Sequence, residues 1–333
     1  MNIRKVLITG GAGYAGHRLV PALLQDGYKV VVYDTNWYGC FMSPTAGLTL
    51  IEADIRDTAR LKAAMIGMDA VIHLACISND PSFELNESLS QEINFDCFEP
   101  MVVAAEAVGV KRFIYASSSS VYGVSEAPEV TEDHPLVPLT LYNKFKGMCE
   151  PLLFKHQSPD FVCTTIRPAT LCGYSPRMRL DLSVNILTNH AVNNGRITVF
   201  GGTQKRPNLH VEDMVDLYRL MLSIDGSRIA GETFNVGHQN HAISEIAEIV
   251  RSVVETEFPD RPPIEIVTTP SNDLRSYHIS SEKIARLLDF RPKRGIEDAV
   301  RDLCRAFRDG KLPNSMTDPK YFNVQTLKGQ KAA

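Results

Sequence analysis

The chain has 333 residues, and 35 basic against 39 acidic side chains give it a formal net charge of −4. This balance leaves no basic surplus for bulk binding of nucleic acid or of an anionic membrane, and 44% hydrophobic with 22% charged residues is typical of a folded globular protein. No run of about 18 apolar residues predicts a transmembrane helix, and the first residues lack the apolar part of a signal peptide, so we expect a cytoplasmic protein.

Short apolar runs alternate with helical segments through the first half of the chain. Five runs rich in β-branched residues are too short for helices and predict strands at 5–9, 30–33, 70–74, 112–116 and 162–166. Between them, segments with helical spacing occupy 19–25, 59–65, 99–108 and 142–156. This alternation predicts an α/β fold with a doubly wound parallel sheet, covered by helices on both faces.

The pattern changes after Pro168. A loop over 175–181 precedes predicted helices at 185–192, 214–222 and 244–255 and predicted strands at 197–200 and 233–236. We expect residues 169–333 to form mainly a smaller α/β lobe, interleaved with the first because a segment near 205–240 returns to it. The composition after Leu312 is typical of a tail that docks loosely or frays.

A glycine-rich turn joins the first predicted strand to the first helix. Residues 9–16 have the sequence TGGAGYAG, in which Gly10, Gly13 and Gly16 fit G-x-x-G-x-x-G. Glycines here permit a tight turn, let backbone amides reach a pyrophosphate, and let the helix pack closely on the strand. The helix N-terminus then faces the phosphates. The turn therefore predicts a Rossmann-like dinucleotide-binding domain over residues 1–168.

An acidic residue supports this prediction and selects the cofactor. Asp34 ends the second predicted strand, about 20 residues beyond the glycines, where a carboxylate accepts hydrogen bonds from both ribose hydroxyls. That carboxylate would repel a 2′-phosphate, and residues 35–38 offer no cation to offset the repulsion. The pattern favours NAD over NADP. Asp54 either meets the adenine edge or is an ordinary acid at the end of a strand.

Two further motifs indicate proton transfer. Tyr142 and Lys146 are four residues apart on a predicted helix and so share a face. An ammonium beside a phenol favours the phenolate, which predicts a tyrosine pKa lowered from about 10 toward neutrality and a usable proton acceptor. Upstream, FIYASSSSVYG at 113–123 places serines at the carboxyl end of a strand, where a hydroxyl can bond both substrate and tyrosine.

These motifs occur in a familiar order: TGGAGYAG, HLA at 73–75, ASSSSVYG, Y-x-x-x-K and Arg167-Pro168. The chain resembles the extended short-chain dehydrogenases/reductases of the nucleotide-sugar epimerase/dehydratase family, over nearly its whole length. The resemblance implies tightly bound NAD, a nucleoside-diphosphate-sugar substrate and a homodimer. It makes Ser118, Tyr142 and Lys146 the predicted catalytic residues. The predicted cofactor contacts are Gly10, Gly13, Tyr14, Ala15, Gly16, Asp34, Asn36, Asp54, Ile55, Leu74, Ala75, Cys76, Tyr142, Lys146 and Pro168.

The serines after Ser118 bear on the reaction. Ser119 and Ser120 stand where the family's dehydratases typically have Asp and Glu, and where its UDP-glucuronate decarboxylases have Glu at the second place. A hydroxyl cannot replace a carboxylic acid in protonating a leaving hydroxide. We therefore predict an epimerase that oxidises its sugar transiently and returns the hydride. The alternatives are a 4-ketoreductase, a dehydratase whose acid lies elsewhere and, more remotely, a non-catalytic NAD-sensing regulator.

The substrate side departs from the family pattern. Thr170 replaces a common asparagine, and Pro270 replaces a second diphosphate-binding arginine. Arg275, Arg177 or Arg179 could substitute for it, and the last two could equally hold a substrate carboxylate or an extra phosphate. The predicted substrate contacts are Ser78, Asn79, Ser118, Ser119, Ser120, Thr170, Arg177, Arg179, Asn185, Phe200, Arg206 and Arg275. The seven cysteines contain no C-x-x-C pair, so we expect reduced thiols and no metal site.

Overall fold

The computed structural model describes residues 3–271 and 276–329. Its strands are β1 (Lys5–Thr9), β2 (Lys29–Asp34), β3 (Leu48–Glu52), β4 (Ala70–His73), β5 (Arg112–Ala116), β6 (Val162–Pro168), β7 (Thr170–Cys172), β8 (Arg196–Phe200), β9 (Lys205–His210), β10 (Glu232–Val236), β11 (Gln239–Ala242) and β12 (Glu265–Thr269). Its α-helices are α1 (Gly16–Gln25), α2 (Thr58–Met65), α3 (Asp80–Phe83), α4 (Glu87–Gln91), α5 (Phe98–Ala107), α6 (Leu141–Phe154), α7 (Ser183–Asn194), α8 (Val211–Ser223), α9 (Ile243–Glu257), α10 (Glu282–Leu288), α11 (Ile296–Arg308) and α12 (Asn323–Gly329).

The central sheet is parallel throughout, with strand order β10-β6-β5-β4-β1-β2-β3. Strand β1 shows why its sequence is apolar at successive positions. Val6 and Ile8 join one buried cluster, which includes side chains of α1 and α8, while Leu7 joins another, on the side of α2, α5 and α6. Both faces of the sheet are therefore covered, and the predicted doubly wound fold is confirmed.

The chain returns to this sheet late, through β10. Strand β10 pairs in parallel with β6, with Phe234 opposite Ile166. Helix α8 packs beside α1 through residues such as Leu217. Strands β9 and β11 instead join β7 in a separate three-stranded sheet.

The second lobe is built around α7, α9 and α11. The parallel pair of β8 and β12 packs on these helices through Ile197 and Val199. The short elements between β4 and α5, including a π-helical segment at Glu92–Asp96, were not predicted, since they are too short to show a period. No helix in the described ranges is long and apolar enough to span a membrane.

The expectation of a loosely docked tail is wrong for the described residues after Leu312. Leu312 and Tyr321 are 6% and 4% exposed and pack with Met178 and Leu180. The backbone amide of Leu180 donates to the Tyr321 carbonyl at 2.9 Å. The segment has the composition of a loop, but the few apolar side chains between its polar residues pack against the second lobe and hold it in place.

Candidate active site

The first cleft opens at the carboxyl ends of β1, β2 and β4 and holds about 980 Å³ of empty space. The glycine-rich turn forms its floor, and two of the glycines have no room for a side chain. Gly10 has a φ of +71°, and a Cβ there would lie 2.5 Å from the Ala75 nitrogen. A Cβ on Gly16 would lie 2.0 Å from the Gly11 carbonyl oxygen. Helix α1 begins here with no acidic side chain in its first turn, so its N-terminus suits an anion.

Asp34 lies at the end of β2, in the wall of this cleft. Its Oδ2 accepts a hydrogen bond from the Ala12 amide at 3.0 Å, and its Oδ1 accepts one from the Asn36 amide at 2.9 Å. Burial raises the pKa of this carboxyl above its ordinary value. Each carboxylate oxygen has a second acceptor site, so Asp34 can still accept hydrogen bonds from two ribose hydroxyls.

A second acid, Asp54, lies further along the cleft. Burial disfavours its charge, but hydrogen bonds from Arg56, one of them 2.8 Å long, lower its pKa overall. The predicted contact Asn36 points elsewhere: its side-chain amide donates to Glu52 Oε2 at 3.0 Å, and it does not line the cleft. The predicted cofactor contacts that do line this cleft are Gly10, Gly13, Tyr14, Ala15, Gly16, Asp34, Asp54, Ile55, Leu74, Ala75 and Cys76.

A second cleft of about 1070 Å³ adjoins the first, and Tyr14, Ser78, Leu171 and Arg179 line both. It contains Tyr142 and Pro168 and the serine loop that follows β5. The predicted substrate contacts in its wall are Ser78, Asn79, Ser118, Ser119, Ser120, Thr170, Arg179 and Arg206. The structure therefore brings the predicted hydroxyl and phenol groups into one cleft beside the dinucleotide-type cleft.

Hydrogen bonds fix the serine loop. The Ser118 and Ser120 hydroxyls lie 2.7 Å apart, and Ser118 Oγ also accepts from the Ser120 amide at 3.2 Å. Ser120 Oγ donates to Asn143 Oδ1, which ties the loop to the helix carrying Tyr142. Ser118 is thus held at the start of a short 3-10 helix, Ser119–Tyr122, with its hydroxyl in the cleft.

A buried ion pair supports this loop from behind. Arg167 donates to Glu150 through Nη2 at 2.6 Å and through Nε at 3.0 Å. Ser117, one residue before Ser118, donates to the same carboxylate at 2.6 Å, and Arg167 Nη1 donates to the Tyr122 hydroxyl at 2.6 Å.

The start of α6 positions Tyr142. Thr140 caps this helix by accepting from the Asn143 amide at 3.3 Å, and its hydroxyl donates to Asp80 Oδ1 at 2.6 Å. Lys146, one turn beyond Tyr142, is buried, and its Nζ donates to the Ala116 carbonyl at 2.8 Å. Lys146 therefore lies behind the clefts rather than in their walls.

The expected depression of the Tyr142 pKa is wrong for this structure. Burial raises the pKa of the phenol well above its ordinary value, and the neighbouring ionisable side chains Cys76 and Asp80 add to the rise. Arg179 opposes it. Removal from water disfavours the phenolate more than these surroundings favour it.

Four predicted substrate residues lie elsewhere. Asn185 is fully buried, with Oδ1 accepting from the Gly173 amide at 3.0 Å and Nδ2 donating to the Arg179 carbonyl at 2.9 Å, so its amide holds the protein together. Phe200 is 61% exposed and outside both clefts. Arg177 lines the first cleft only, and Arg275 lies outside the described residues.

Sequence reasoning missed Tyr277 and Asn143 in the second cleft. The Arg206 guanidinium lies 5.2 Å from the centroid of the Tyr277 ring, which closes that end of the cleft. No motif contains Tyr277, so nothing local could have found it. Asn143 could have been predicted, because it directly follows Tyr142 in the sequence. Among the described residues, no group of three or more His, Cys, Asp or Glu side chains could hold a metal ion.

Comparison with known proteins decides the family. The sequence model of the NAD-dependent epimerase/dehydratase family matches residues 6–237, well over half of the chain. This chain belongs to that family. The extended short-chain dehydrogenase/reductase character predicted from the motifs is confirmed, and the chain is an enzyme of this family.

Its relatives differ in the reactions they are named for. The UDP-glucose 4-epimerase of Lactobacillus helveticus is 26% identical over 316 residues, which cover 89% of this chain and 94% of that protein. The UDP-glucuronic acid decarboxylase 1 of Danio rerio is 25% identical over 315 residues, which cover 91% of this chain and 72% of that protein.

Solved structures agree on the fold. An epimerase from Methanothermobacter thermautotrophicus superposes with a TM-score of 0.82 at 24% identity, over 93% of each chain. A dTDP-glucose 4,6-dehydratase from Streptomyces venezuelae, solved with NAD bound, superposes with a TM-score of 0.81 at 22% identity, over 95% of this chain and 99% of that one.

The residues of the first cleft fit NAD, the cofactor of the family and of this chain. The two crowded glycines leave the turn and the α1 N-terminus open to a pyrophosphate. Asp34 lies in the wall of this cleft, where its carboxylate would accept hydrogen bonds from the adenosine ribose and would repel a 2′-phosphate.

Proposed function

We propose that this enzyme epimerises a nucleoside-diphosphate sugar through transient oxidation to a ketosugar. The observation that carries the proposal is the pair Ser119 and Ser120 in the wall of the second cleft, where an elimination would need a carboxylic acid. The names of the relatives, which include several UDP-glucose 4-epimerases, support a sugar nucleotide as substrate.

The chain's own residues would move one proton and orient the sugar. Tyr142 would accept the proton of the sugar hydroxyl, and Ser118 would hydrogen-bond the same oxygen. Bound NAD supplies the hydride acceptor and, when oxidised, a positive charge that favours the Tyr142 phenolate. Lys146 lies one turn beyond Tyr142, and its positive charge would also favour the phenolate; in this structure its Nζ donates to the Ala116 carbonyl.

The open second cleft would let the ketosugar turn and regain hydrogen on its other face. Arg206, at the far end of this cleft, would hold the diphosphate, because a guanidinium fork matches phosphate oxygens. The Tyr277 ring beside it would limit where the diphosphate can lie.

A dehydratase is the second candidate, and Asp80 favours it. Asp80 contributes a carboxyl group to the wall of the second cleft and lies near enough to Tyr142 to raise the tyrosine pKa. It also accepts the Thr140 hydrogen bond at 2.6 Å, which suits a positioning role better than proton delivery. A 4-ketoreductase would instead consume reduced cofactor stoichiometrically.

Mass spectrometry of nucleotide sugars separates these reactions. The purified enzyme is incubated with UDP, dTDP, GDP and CDP sugars, including uronates, deoxysugars and ketosugars, with and without reduced cofactor. A new isomer of unchanged mass, formed without added reductant, is the expected result. A product lighter by water or carbon dioxide, or heavier by two hydrogens, would replace the proposal with a dehydratase, decarboxylase or reductase.

Variants then test the assigned roles. Tyr142→Phe and Ser118→Ala are expected to lower turnover by about 10²- to 10⁴-fold, the usual contribution of a positioned proton-transfer group, without loss of bound NAD. Tyr28→Phe is the matched control, since Tyr28 directly precedes β2 and so lies at the amino ends of the strands, whereas the clefts lie at their carboxyl ends. Near-normal turnover in Tyr142→Phe would remove Tyr142 from the mechanism.

We also propose a homodimer formed through α5 and α6. Val103 on α5 and Met148 on α6 are 47% and 38% exposed, and both are apolar. Light scattering of Val103→Glu against the unchanged protein tests this, with a shift to monomer expected.

A further inference from the structure

Arg177 is buried in the wall of the cofactor cleft and forms no ion pair with a carboxylate of the described residues. Its side chain is 2% exposed, and its Cζ lies 4.2 Å from the centroid of the Tyr38 ring. Nη2 donates to Asn323 Oδ1 at 2.5 Å, while Nε finds no hydrogen-bond partner in residues 3–271 and 276–329. Asp181, two residues past Arg179, already pairs with Arg179 at 2.9 Å.

Such a cation calls for an anion. A buried charge is unfavourable unless it is paired and its donors are satisfied. Burial, and then the like charge of Arg179, lower the pKa of Arg177 to about 10, although Tyr38, Asp181 and Asp34 oppose this. An anionic group beside the guanidinium would offset both effects. No described ion pair supplies one to Arg177.

The position of Arg177 shows which anion would fit. Two residues earlier, Ser175 Oγ donates to the Tyr14 carbonyl at 2.7 Å, which ties this loop to the glycine-rich turn. Arg177 lines the same cleft as Gly10 and Gly13. A dinucleotide placed on this turn has its two phosphates there.

We propose that Arg177 binds the pyrophosphate of NAD, reaching it from the loop between β7 and α7. The Tyr38 ring and the Asn323 side chain hold the guanidinium in place. This replaces the predicted role of Arg177 as a substrate contact. It holds whichever sugar reaction the enzyme catalyses.

The C-terminal segment takes part through Asn323, the first residue of α12. This residue is 1% exposed and lines the cofactor cleft. Besides accepting from Arg177, it donates to Ser78 Oγ at 2.9 Å, and its backbone amide donates to Asp181 Oδ2 at 3.1 Å. The segment therefore supports Arg177 over the cofactor and should slow NAD release.

Ligand binding to the full-length enzyme tests the proposal. The chain has one tryptophan, Trp37, and it lines the cofactor cleft, so its fluorescence can follow titrations. NAD, ADP-ribose and adenosine are titrated into enzyme freed of NAD, and NAD retained on purification is measured separately. The variants are Arg177→Met, Arg177→Lys and Asn323→Ala. Arg261→Met is the control, because Arg261 also stacks on a ring at 4.2 Å, that of Phe258, but away from both clefts.

Arg177→Met is expected to weaken ADP-ribose and NAD binding by about 10- to 100-fold, the range for charge-assisted hydrogen bonds, and to change adenosine binding less than about 2-fold. Arg177→Lys should lie between, since it keeps the charge but loses the fork. Asn323→Ala should speed NAD release by about 3- to 10-fold through the loss of one support. Arg261→Met should bind all three ligands normally.

Three results would overturn the proposal. Unchanged ADP-ribose affinity in Arg177→Met would show that the guanidinium meets no phosphate. An equal loss for adenosine would show that the cleft itself has collapsed. An equal loss in Arg261→Met would show that removing any stacked arginine weakens binding, whether or not it lines the cofactor cleft. Since no sugar is added, failure of the proposed epimerase reaction leaves all these readouts intact.

Discussion

Replacing Arg167 with methionine tests the ion pair beneath the serine loop. The Arg167 and Glu150 side chains are 7% and 5% exposed and share two hydrogen bonds, of 2.6 and 3.0 Å. Without Arg167, the Glu150 carboxylate would stay buried, and the Ser117 hydroxyl would be its one remaining donor among the described residues. Removing one partner of a buried pair costs about 3–5 kcal/mol of unfolding free energy.

The double variant Arg167→Met/Glu150→Met supplies the sharper test. Replacing both charges with apolar groups of similar size is often close to neutral, so the double variant should be more stable than Arg167→Met alone. The coupling between the two sites should approach about 3 kcal/mol. Arg301→Met is the control: Arg301 pairs with Asp298 at 3.0 Å, but these side chains are 49% and 46% exposed. It should cost less than about 1 kcal/mol.

Urea unfolding measures these differences. Circular dichroism and Trp37 fluorescence are followed together, because coincident transitions are needed before a single free energy is assigned to a chain with two lobes. A loss below about 1 kcal/mol in Arg167→Met would refute the reasoning. So would a double variant whose loss equals the sum of the two single losses.

Three further predictions concern the turn, the sheet and the phenol. Gly16→Ala should destabilise the fold by about 1–3 kcal/mol and weaken NAD binding, because its Cβ would meet Gly11 at 2.0 Å; Gly147→Ala, with no contact closer than 3.4 Å, is the control, and equal urea midpoints would contradict this. Burial lowers the pKa of His73 to about 3 from 6.5, so its contribution to stability is present above pH 6.5 and is lost as pH falls. Between pH 6.5 and about pH 4, the unfolding free energy of wild type should fall by roughly 1.4 kcal/mol per pH unit more than that of His73→Gln. If the urea midpoints of the two proteins change equally with pH, a buried neutral His73 is excluded. Because burial raises the Tyr142 pKa, ultraviolet difference titration of NAD-free wild type against Tyr142→Phe should show no tyrosinate signal from Tyr142 below about pH 10, and a signal near pH 7 would contradict this.

Much of the cofactor half was determined by sequence alone, because its signals are local. The turn at 9–16 encodes its own geometry through residues without side chains, as the crowding at Gly10 and Gly16 shows. Strand β1 is recognisable because a strand buried on both faces must be apolar at every position. The serine loop and Tyr142 lie next to such strands and helices, so their arrival in one cleft followed from the fold class.

Only the tertiary structure decided what depends on contacts between distant segments. Arg177 and Arg179 are two residues apart and alike in type, yet one lies in the cofactor cleft and the other between both clefts. Asn323 reaches the cofactor cleft from a tail whose composition predicts fraying. The Tyr142 pKa rises because burial, which no spacing of tyrosine and lysine expresses, outweighs the favourable charges. Burial and long-range partners are properties of the packed chain, so the local sequence around these residues could not reveal them.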